Sequence, residues 1–571
     1  MLGLGALNIA VVAAYLLGVT LIGALVMRRI KTLGDFVMPR RFGYWMMAMH
    51  AFGTGTHSDQ AVSVASKTYT NGLSGIWYQW LYLFATPFYW LFAPMLRRFR
   101  ALTTADIFHL RYNRSVAALY AVISIGMMVT TIGLMLKGSG AVIEGASHGA
   151  ISSNTAIIAM TLLFVVYGTA GGLGAAIVTD FIQGLLTIIF SFMLLPVVLN
   201  AVGGIEGMRE TINNGSMFSL VAPGEIGFFY IAVITVNALI GIVAQPHILA
   251  NCSAGKTERE GQVGFVVGSF TKRICTVAWS LTGLAGVAYF AGRELNPDHL
   301  YGLLANEFLP QLFPGMLGLF IATLLASVMS SCDSFMIAAS ALFTENVYKP
   351  ARPSRSAGHY VAVARIVSVC VVALGVLYAW WLEGVIQGLE ILWKIGPMMG
   401  IPFWLGFFWR RTTPAAAWTS TLGALFVWWL TTHGYFVDWL SGLSIAERLG
   451  MVTGSAADAS LAISLPWQMV FYLTAGFVLG VVTSFFTRRT NAEQLERYYT
   501  LLRTPVHTIE ENQAAPCTVP PDAVTLPRRV LFSGRSELEI PVPSKRAVVG
   551  FLGGWLCVAA IVLFVYSIAA G

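Results

Sequence analysis

Long apolar stretches recur along the whole chain and are separated by short polar segments. A helix needs about 20 mainly apolar residues to cross the hydrocarbon core of a bilayer, and about fourteen stretches reach that length. We therefore expect an all-α integral membrane protein that crosses the bilayer many times. The predicted spans, numbered in chain order, are 4–26, 45–65, 75–96, 116–140, 154–170, 174–200, 226–250, 263–291, 314–343, 359–381, 384–409, 414–433, 467–487 and 546–569.

Composition and charge agree with this pattern. The chain is 56% hydrophobic and only 11% charged, whereas soluble domains carry about 25% charged residues. Its net charge of +8 would suggest nucleic acid in a soluble protein. Here the basic residues cluster in the loops after odd-numbered spans, as expected of cytoplasmic loops. They include Arg28, Arg29, Lys31, Arg40 and Arg41 after the first span, Arg97, Arg98, Arg100, Arg111 and Arg114 after the third, and Arg410 and Arg411 after the eleventh.

This charge pattern sets the expected location and partners. We expect a multi-pass protein of the plasma membrane whose N- and C-termini both lie outside the cytoplasm. The lipid bilayer is a predicted partner and nucleic acid is not. The oligomeric state stays open.

Two predicted spans contain helix-breaking and polar residues. The second span holds the run Gly53–Gln60, and the seventh holds Asn237, Gly241 and Gln245–His247. Proline removes a backbone donor and glycine lowers helix propensity. A broken helix is tolerated at membrane depth only where it lines a cavity or is buried in protein. Paired interruptions of this kind favour a transporter with a site near the bilayer midplane, although simple packing kinks are the alternative.

The ninth span carries a stripe of hydroxyl groups. Ser327, Ser330, Ser331 and Ser334 lie on one helical face because they are spaced by three and four residues. Such oxygen atoms suit a hard cation, whereas close helix packing is the alternative explanation. Asp333 lies beside the stripe, and a carboxylate inside a membrane is a functional candidate.

Other ionisable residues fall inside the predicted spans. They are Asp180, Lys272, Arg273, Glu390 and Lys394. Glu390 and Lys394 are one helical turn apart and could form a structural pair. Lys272 and Arg273 could instead extend to the cytoplasmic edge of the membrane.

Several ordered motifs resemble those of the sodium/solute symporter family, over roughly residues 1–490. The strongest is Gly171–Gln183, a glycine-rich run that ends in Thr-Asp and a glutamine. In parts the chain is most similar to the sodium/sugar cotransporter branch. The supporting motifs are Gly34–Phe36, Gln245–Ile248, Val328–Ser331 and Leu405–Thr413.

The resemblance implies a leucine-transporter-type fold with five-plus-five inverted repeats, one extra N-terminal helix and extra C-terminal helices. The region 488–545 is charged and contains several prolines, which predicts a cytoplasmic linker that is partly disordered. The expected division is 1–44 for the first helix and its loop, 45–200 and 201–411 for the two repeats, 412–487 for spans twelve and thirteen, 488–545 for the linker and 546–571 for the last helix.

The same resemblance implies a sodium site. The expected ligands are the carbonyl groups of Gly53, Thr56 and Ser327 and the hydroxyl groups of Ser330 and Ser331. No cofactor is expected apart from Na⁺ as the coupling ion.

A second ion site is implied at Asp180. Some family members hold a further sodium ion near the aspartate of the Thr-Asp motif. Asp333 stands where small or hydroxyl residues are usual in the family, so it either joins that site or carries a proton.

Part of a sugar site is implied as well. Gln60, Gln79, Asn237 and Lys272 match positions that contact substrate in the sugar branch, where Gln79 replaces a glutamate. We also expect Glu390 to contact substrate, because it follows Leu389, which stands where that branch has a glutamine. A departure is that the aromatic gate of the seventh span is replaced by Ile240 and Gly241. Lys272 suits an anion as readily as a hydroxyl group.

We therefore expect a secondary active transporter and not an enzyme. The predicted function is sodium-coupled symport of a small polar organic solute, preferably sugar-like, by alternating access. A proton-coupled transporter, an amino-acid or carboxylate symporter, and a membrane sensor that binds solute without moving it are the alternatives. Nucleoside-like solutes also stay open.

Overall fold

The structure is a computed structural model that describes residues 5–27, 40–222, 225–454, 461–507, 516–532, 534 and 537–570. The side chains of residues 20, 22–27, 164 and 166–176 lie outside this description. Two parts of the sequence analysis therefore fall outside the described residues. They are the loop that holds Arg28, Arg29, Lys31 and the Gly34–Phe36 motif, and the side chains at the start of the Gly171–Gln183 motif.

The described chain is almost entirely helical. The helices of its first half are α1 (Ala6–Met27), α2 (Tyr44–Gly55), α3 (Ser58–Asn71), α4 (Trp77–Trp80), α5 (Thr86–Arg98), α6 (Thr104–Arg111), α7 (Arg114–Ala146), α8 (Ser153–Met193), α9 (Leu195–Ala201), α10 (Gly204–Ile212), α11 (Phe228–Ile242), α12 (Pro246–Ser253) and α13 (Glu258–Tyr289). Short 3₁₀ helices occupy Gly72–Ile76, Gly215–Phe218 and Pro297–His299.

The second half continues in the same manner. Its helices are α14 (Leu300–Leu312), α15 (Met316–Phe343), α16 (Lys349–Ala351), α17 (Ala357–Trp381), α18 (Val385–Phe408), α19 (Pro414–Thr431), α20 (Gly434–Ser441), α21 (Ser444–Arg448), α22 (Leu465–Phe486), α23 (Ala492–Leu502) and α24 (Lys545–Ala570). A π-helical turn at Thr344–Tyr348 joins α15 to α16. The strands β1 (Val452–Thr453) and β2 (Ala462–Ile463) pair antiparallel.

Most predicted spans coincide with a helix. Seven of the described helices are long and apolar enough to cross a membrane, and the bent pair α11–α12 adds an eighth span. The sequence pattern therefore located the apolar helices correctly, with shifts of a few residues at their ends.

The predicted span 174–200 coincides with a candidate membrane span at Ile177–Ala201, but the expected break between it and the span 154–170 is not present. Instead α8 runs without a break for 41 residues. At 1.5 Å per residue such a helix is about 60 Å long, which is about twice the thickness of the hydrocarbon core. The glycine-rich connection contains no proline, and glycine weakens a helix without ending it. The count of fourteen spans is thus not confirmed.

Both predicted helix interruptions are present. α2 ends at Gly55, and extended backbone at Thr56 and His57 separates it from α3. α11 and α12 are bent by 69° relative to each other. Pro246 is the first residue of α12, where its missing N–H leaves no helical hydrogen bond unmade.

Glycines let other helices approach the first break closely. A Cβ atom on Gly268 of α13 would lie 2.6 Å from the carbonyl oxygen of Ala48 in α2. A Cβ atom on Gly138 of α7 would lie 2.6 Å from the Cα atom of Asp59 in α3. Residues on α7 and α13 are consequently held against the break by backbone contact.

The described part of the region 488–545 contains a packed helix, α23. Its helix α23 buries Leu495, Tyr498 and Tyr499 at helical spacing, which gives it an apolar face to pack. The Gln494 amide donates to the carbonyl oxygens of Leu110 at 3.0 Å and Tyr112 at 2.8 Å. The polar composition that predicted partial disorder therefore conceals one amphipathic helix.

Candidate functional site

The end of α2 and the middle of α15 meet in a buried polar cluster. The Ser331 hydroxyl donates to the carbonyl oxygen of Gly53 at 3.0 Å. A Cβ atom on Gly53 would lie 2.8 Å from the Ser330 Oγ atom, so only glycine allows this approach. Both serines are fully buried. Three of the five residues predicted to bind sodium thus lie together.

Asp180 of α8 joins the same cluster. Its carboxylate accepts a hydrogen bond from the Ser330 hydroxyl, and its Oδ2 atom lies 2.6 Å from the Nδ1 atom of His50 in α2. His50 also lies 3.2 Å from the Thr54 hydroxyl, which in turn lies 3.4 Å from Ser334. The sequence analysis missed His50. The sequence feature that could have identified His50 is that it is an ionisable residue inside an apolar span, one turn before Gly53.

The remaining predicted ion ligands occupy the edges of the cluster. Asp333 is buried at 2% exposure, and its Oδ1 atom has no hydrogen-bond partner among the described residues. The Thr56 hydroxyl is buried and also lacks a described partner. The Ser327 hydroxyl donates to the Leu324 carbonyl in its own helix at 2.8 Å, so only its carbonyl group is offered for the predicted role.

A cavity of about 90 Å³ lies between the two helix breaks. Phe335 of α15 separates two of its lining histidines, with ring centroids 6.2 Å from His57 and 4.6 Å from His247. The volume holds a few water molecules or part of a small solute. The two interruptions predicted from sequence therefore line one chamber.

Three predicted substrate residues line this cavity. They are Gln60, Gln79 and Lys272. The Gln60 amide lies 3.0 Å from the Nε2 atom of His57, and its Oε1 atom has no described partner. Lys272 donates to the carbonyl oxygen of Gly55 at 2.5 Å. The side chain of Lys272 is buried and does not reach the membrane edge.

The other two predicted substrate residues do not line the cavity. The Asn237 amide donates to the carbonyl oxygen of Trp393 at 2.9 Å, and its oxygen accepts from the Tyr472 hydroxyl. The Glu390 carboxylate accepts from the Tyr78 hydroxyl at 2.7 Å, and no ion pair joins it to Lys394 in the described chain. Both side chains link helices in this structure.

A second, smaller cavity of about 30 Å³ also touches the polar cluster. His50, Thr54 and Ser334 line it together with Thr103 and Thr104 at the start of α6. The basic loops around α6 predict that this side faces the cytoplasm. Thr54 and His247 line both cavities, so the two cavities are neighbours.

The geometry favours binding of a hard cation next to a polar solute. The cluster offers the carbonyl group of Gly53, two hydroxyl groups and a carboxylate, which all present oxygen atoms to a cation. The neighbouring cavity offers amides, imidazoles and cationic groups. The two sites share α2, because Gly53 belongs to the cluster and Gly55 to the cavity wall.

Comparison with known proteins supports the same class. The family model described as "Sodium:solute symporter family" matches residues 36–423. A sodium/pantothenate symporter of Haemophilus influenzae is 26% identical over 61% of this chain and 74% of its own length. A sodium/glucose cotransporter of Vibrio parahaemolyticus is 24% identical over 73% and 83%, respectively. The osmoregulated proline transporter OpuE of Bacillus subtilis is 24% identical over 78% and 95%.

Solved structures show the same fold. A Na⁺-coupled sialic acid symporter in a substrate-bound outward-open state aligns with a TM-score of 0.68 at 20% identity, over 85% of this chain and 99% of that one. Mhp1, a nucleobase-cation-symport-1 family transporter in a closed conformation, aligns with a TM-score of 0.50 at 13% identity, over 82% and 99%.

Proposed function

The chain belongs to the sodium:solute symporter family, and from that membership we propose that it couples the entry of sodium to the uptake of a small polar organic solute. It is a membrane transporter and not an enzyme. One observation supports sodium coupling most strongly. The Gly53 carbonyl group, which accepts only a long 3.4 Å backbone hydrogen bond from Thr56 at the α2 break, meets the hydroxyl-bearing face of α15.

The proposed sodium ion is bound by the carbonyl groups of Gly53, Thr56 and Ser327 and by the hydroxyl groups of Ser330 and Ser331. The existing hydrogen bond between Ser331 and Gly53 supports this assignment, because both oxygens already point to one place. Sodium would replace that hydrogen bond with two ion–oxygen contacts.

A second ion site at Asp180 and Asp333 is part of the proposal. Asp180 touches Ser330, so an ion there would share a neighbour with the first ion. The unpartnered Oδ1 atom of buried Asp333 supports a positively charged partner, because a buried charge without one is costly.

The proposed solute site is the cavity between the helix breaks. Relatives of this chain include proteins named for pantothenate, glucose, proline and myo-inositol. A sugar-like solute, favoured by the sequence, is supported by Gln60 and Gln79 in the cavity wall. Asn237 and Glu390 do not support a sugar-like solute, because their side chains lie outside the cavity wall and form hydrogen bonds with Trp393 and Tyr78.

Transport would proceed by alternating access, with both chain termini outside the cytoplasm. The expected repeats are residues 45–200 and 201–411, each of which opens with a broken helix. Sodium and solute must prefer the same conformation if one is to drive the other, and their coupling is reciprocal.

Uptake into proteoliposomes tests the proposal. Labelled hexoses, amino acids, carboxylates and nucleosides are offered with an inward sodium gradient, and again with potassium in place of sodium. Accumulation of one class only with sodium supports the symport. Accumulation driven by a pH gradient without sodium would replace sodium with protons. Sodium-dependent solute binding without uptake would indicate a sensor.

A further inference from the structure

Two cationic side chains line the solute cavity without a carboxylate partner. On the premise of the proposed symport, we infer that the transported solute is an anion that carries a carboxylate, which Lys272 and Arg273 of α13 bind. This assigns a solute charge that the sequence left open among sugars, amino acids, carboxylates and nucleosides.

Both cations are buried and only partly satisfied. Lys272 is 8% exposed and Arg273 is 3% exposed. Lys272 donates to the Gly55 carbonyl, and one amino group of Arg273 donates to the Gln79 carbonyl at 2.6 Å. The Arg273 Nε atom has no hydrogen-bond partner among the described residues. Neutral carbonyl groups compensate a buried positive charge less well than a carboxylate does.

The described cavity wall supplies no counter-ion. None of its described residues is an aspartate or glutamate, and no described ion pair involves Lys272 or Arg273. Asp59 is the carboxylate whose charge acts on Lys272. It is hydrogen bonded to His57, does not line the cavity and is packed against Gly138 of α7. A zwitterionic solute would thus find cationic partners for its carboxylate but no described carboxylate in the cavity wall for its ammonium group.

The broken helices add to the positive potential. α3 and α12 both begin at the cavity, since the residues that precede them, His57 and Gln245, line its wall. Neither residue caps its helix with a side-chain hydrogen bond. A helix N-terminus favours negative charge and offers free backbone N–H groups. The negative C-terminal end of α2, in contrast, is already engaged by Lys272.

The remaining polar groups suit a solute that also donates hydrogen bonds. The Oε1 atom of Gln60 and the Oδ1 atom of Asn251 are buried acceptors without described partners. Hydroxyl or amide groups on the solute would satisfy them. The solute class is therefore a hydroxylated or amide-bearing carboxylic acid.

Pairs of compounds that differ only by the acid group test the inference. Gluconate with sorbitol, galacturonate with galactose, and 3-hydroxybutyrate with 1,3-butanediol keep the skeleton and change the charge. The melting temperature of the purified protein is measured with each compound, in sodium and in choline. The variants are Lys272→Gln and, as a matched control, Lys394→Gln, a buried lysine of α18 outside the cavity wall.

We expect an acid to raise the melting temperature in sodium while its neutral counterpart does not. Lys272→Gln should weaken binding of that acid about tenfold or more, because a charged contact is lost. Lys394→Gln should bind the acid as the wild type does. Lys272→Arg should retain most of the binding, because it keeps the charge.

The inference is overturned if neutral compounds bind as well as their acids, if no acid binds, or if Lys272→Gln binds acids normally. The effect of sodium alone separates this failure from that of the proposed function. Stabilisation by sodium without any preference for acids rejects only the carboxylate. Absence of any stabilisation by sodium, with no sodium-dependent binding, rejects sodium symport itself.

Discussion

Removal of two hydroxyl groups from α15 should weaken sodium binding strongly. In Ser330→Ala/Ser331→Ala the proposed ion loses two oxygen ligands, both from fully buried residues. A polar contact to a charged group contributes about 1.5 kcal/mol or more. The loss of two such contacts should raise the sodium concentration for half-maximal uptake by about a hundredfold.

The variant also leaves the Gly53 carbonyl without the Ser331 hydroxyl that donates to it. The carbonyl keeps its hydrogen bond from the Thr56 N–H at 3.4 Å, so the loss is that of one buried hydrogen bond, about 0.5–1.5 kcal/mol, and the melting temperature without sodium should fall by a small amount. Solute affinity at saturating sodium should change much less than the sodium requirement.

The assay is solute uptake into proteoliposomes over a range of sodium concentrations. Ser340→Ala is the matched control, since Ser340 is a buried serine of the same helix whose hydroxyl donates to the Ile337 carbonyl at 2.9 Å. It should leave the sodium requirement unchanged. A folded double variant with the wild-type sodium requirement would refute an ion site between α2 and α15.

Three further predictions concern the packing of α13, the region 488–545 and the cavity wall. Gly268→Ala should destabilise the protein by about 1–3 kcal/mol through overpacking, measured by thermal melting, whereas Gly126→Ala, with open space around it, should not. Burial raises the pKa of Cys517 to about 12. Maleimide should therefore label this thiol about a thousandfold more slowly than a free thiol at pH 8, and the labelling rate should increase as the pH rises. Fast labelling at pH 8 would contradict the burial of Cys517. Asn237→Ala should lower the melting temperature but leave the solute concentration for half-maximal uptake unchanged. Gln60→Ala should raise that concentration. The reverse result would indicate that Asn237, and not Gln60, contacts the solute.

The helix breaks could be predicted because their causes are local. Pro246 removes a helical N–H wherever the chain packs, Gly53 and Gly55 lower helix propensity, and their polar neighbours favour a break that lines a cavity. The stripe of serines on α15 was likewise visible from spacing alone. These features predicted where the buried polar cluster lies.

Partners between distant elements were not visible in the sequence. Asn237 matched a substrate position of the sugar branch and Glu390 followed one, but their hydrogen bonds with the Trp393 carbonyl and the Tyr78 hydroxyl depend on how the helices pack. His50 had no motif around it, and its contact with Asp180 spans 130 residues of chain. A periodic pattern reports which face of a helix is polar, and only the fold decides what that face meets.

Several hydrogen bonds between the α23 segment (Ala492–Leu502) and its neighbours are accepted by backbone carbonyl groups. Gln494 donates to main-chain carbonyl groups at the end of α6, and Arg98 donates to the carbonyl group of Leu502 at 3.1 Å. Such hydrogen bonds do not depend on the side chains of the accepting residues. During divergence, the accepting positions Leu110, Tyr112 and Leu502 could therefore change their side chains without loss of these bonds, whereas Gln494 and Arg98 could not. Among homologues that keep this segment, we expect the donors to vary less than the acceptors.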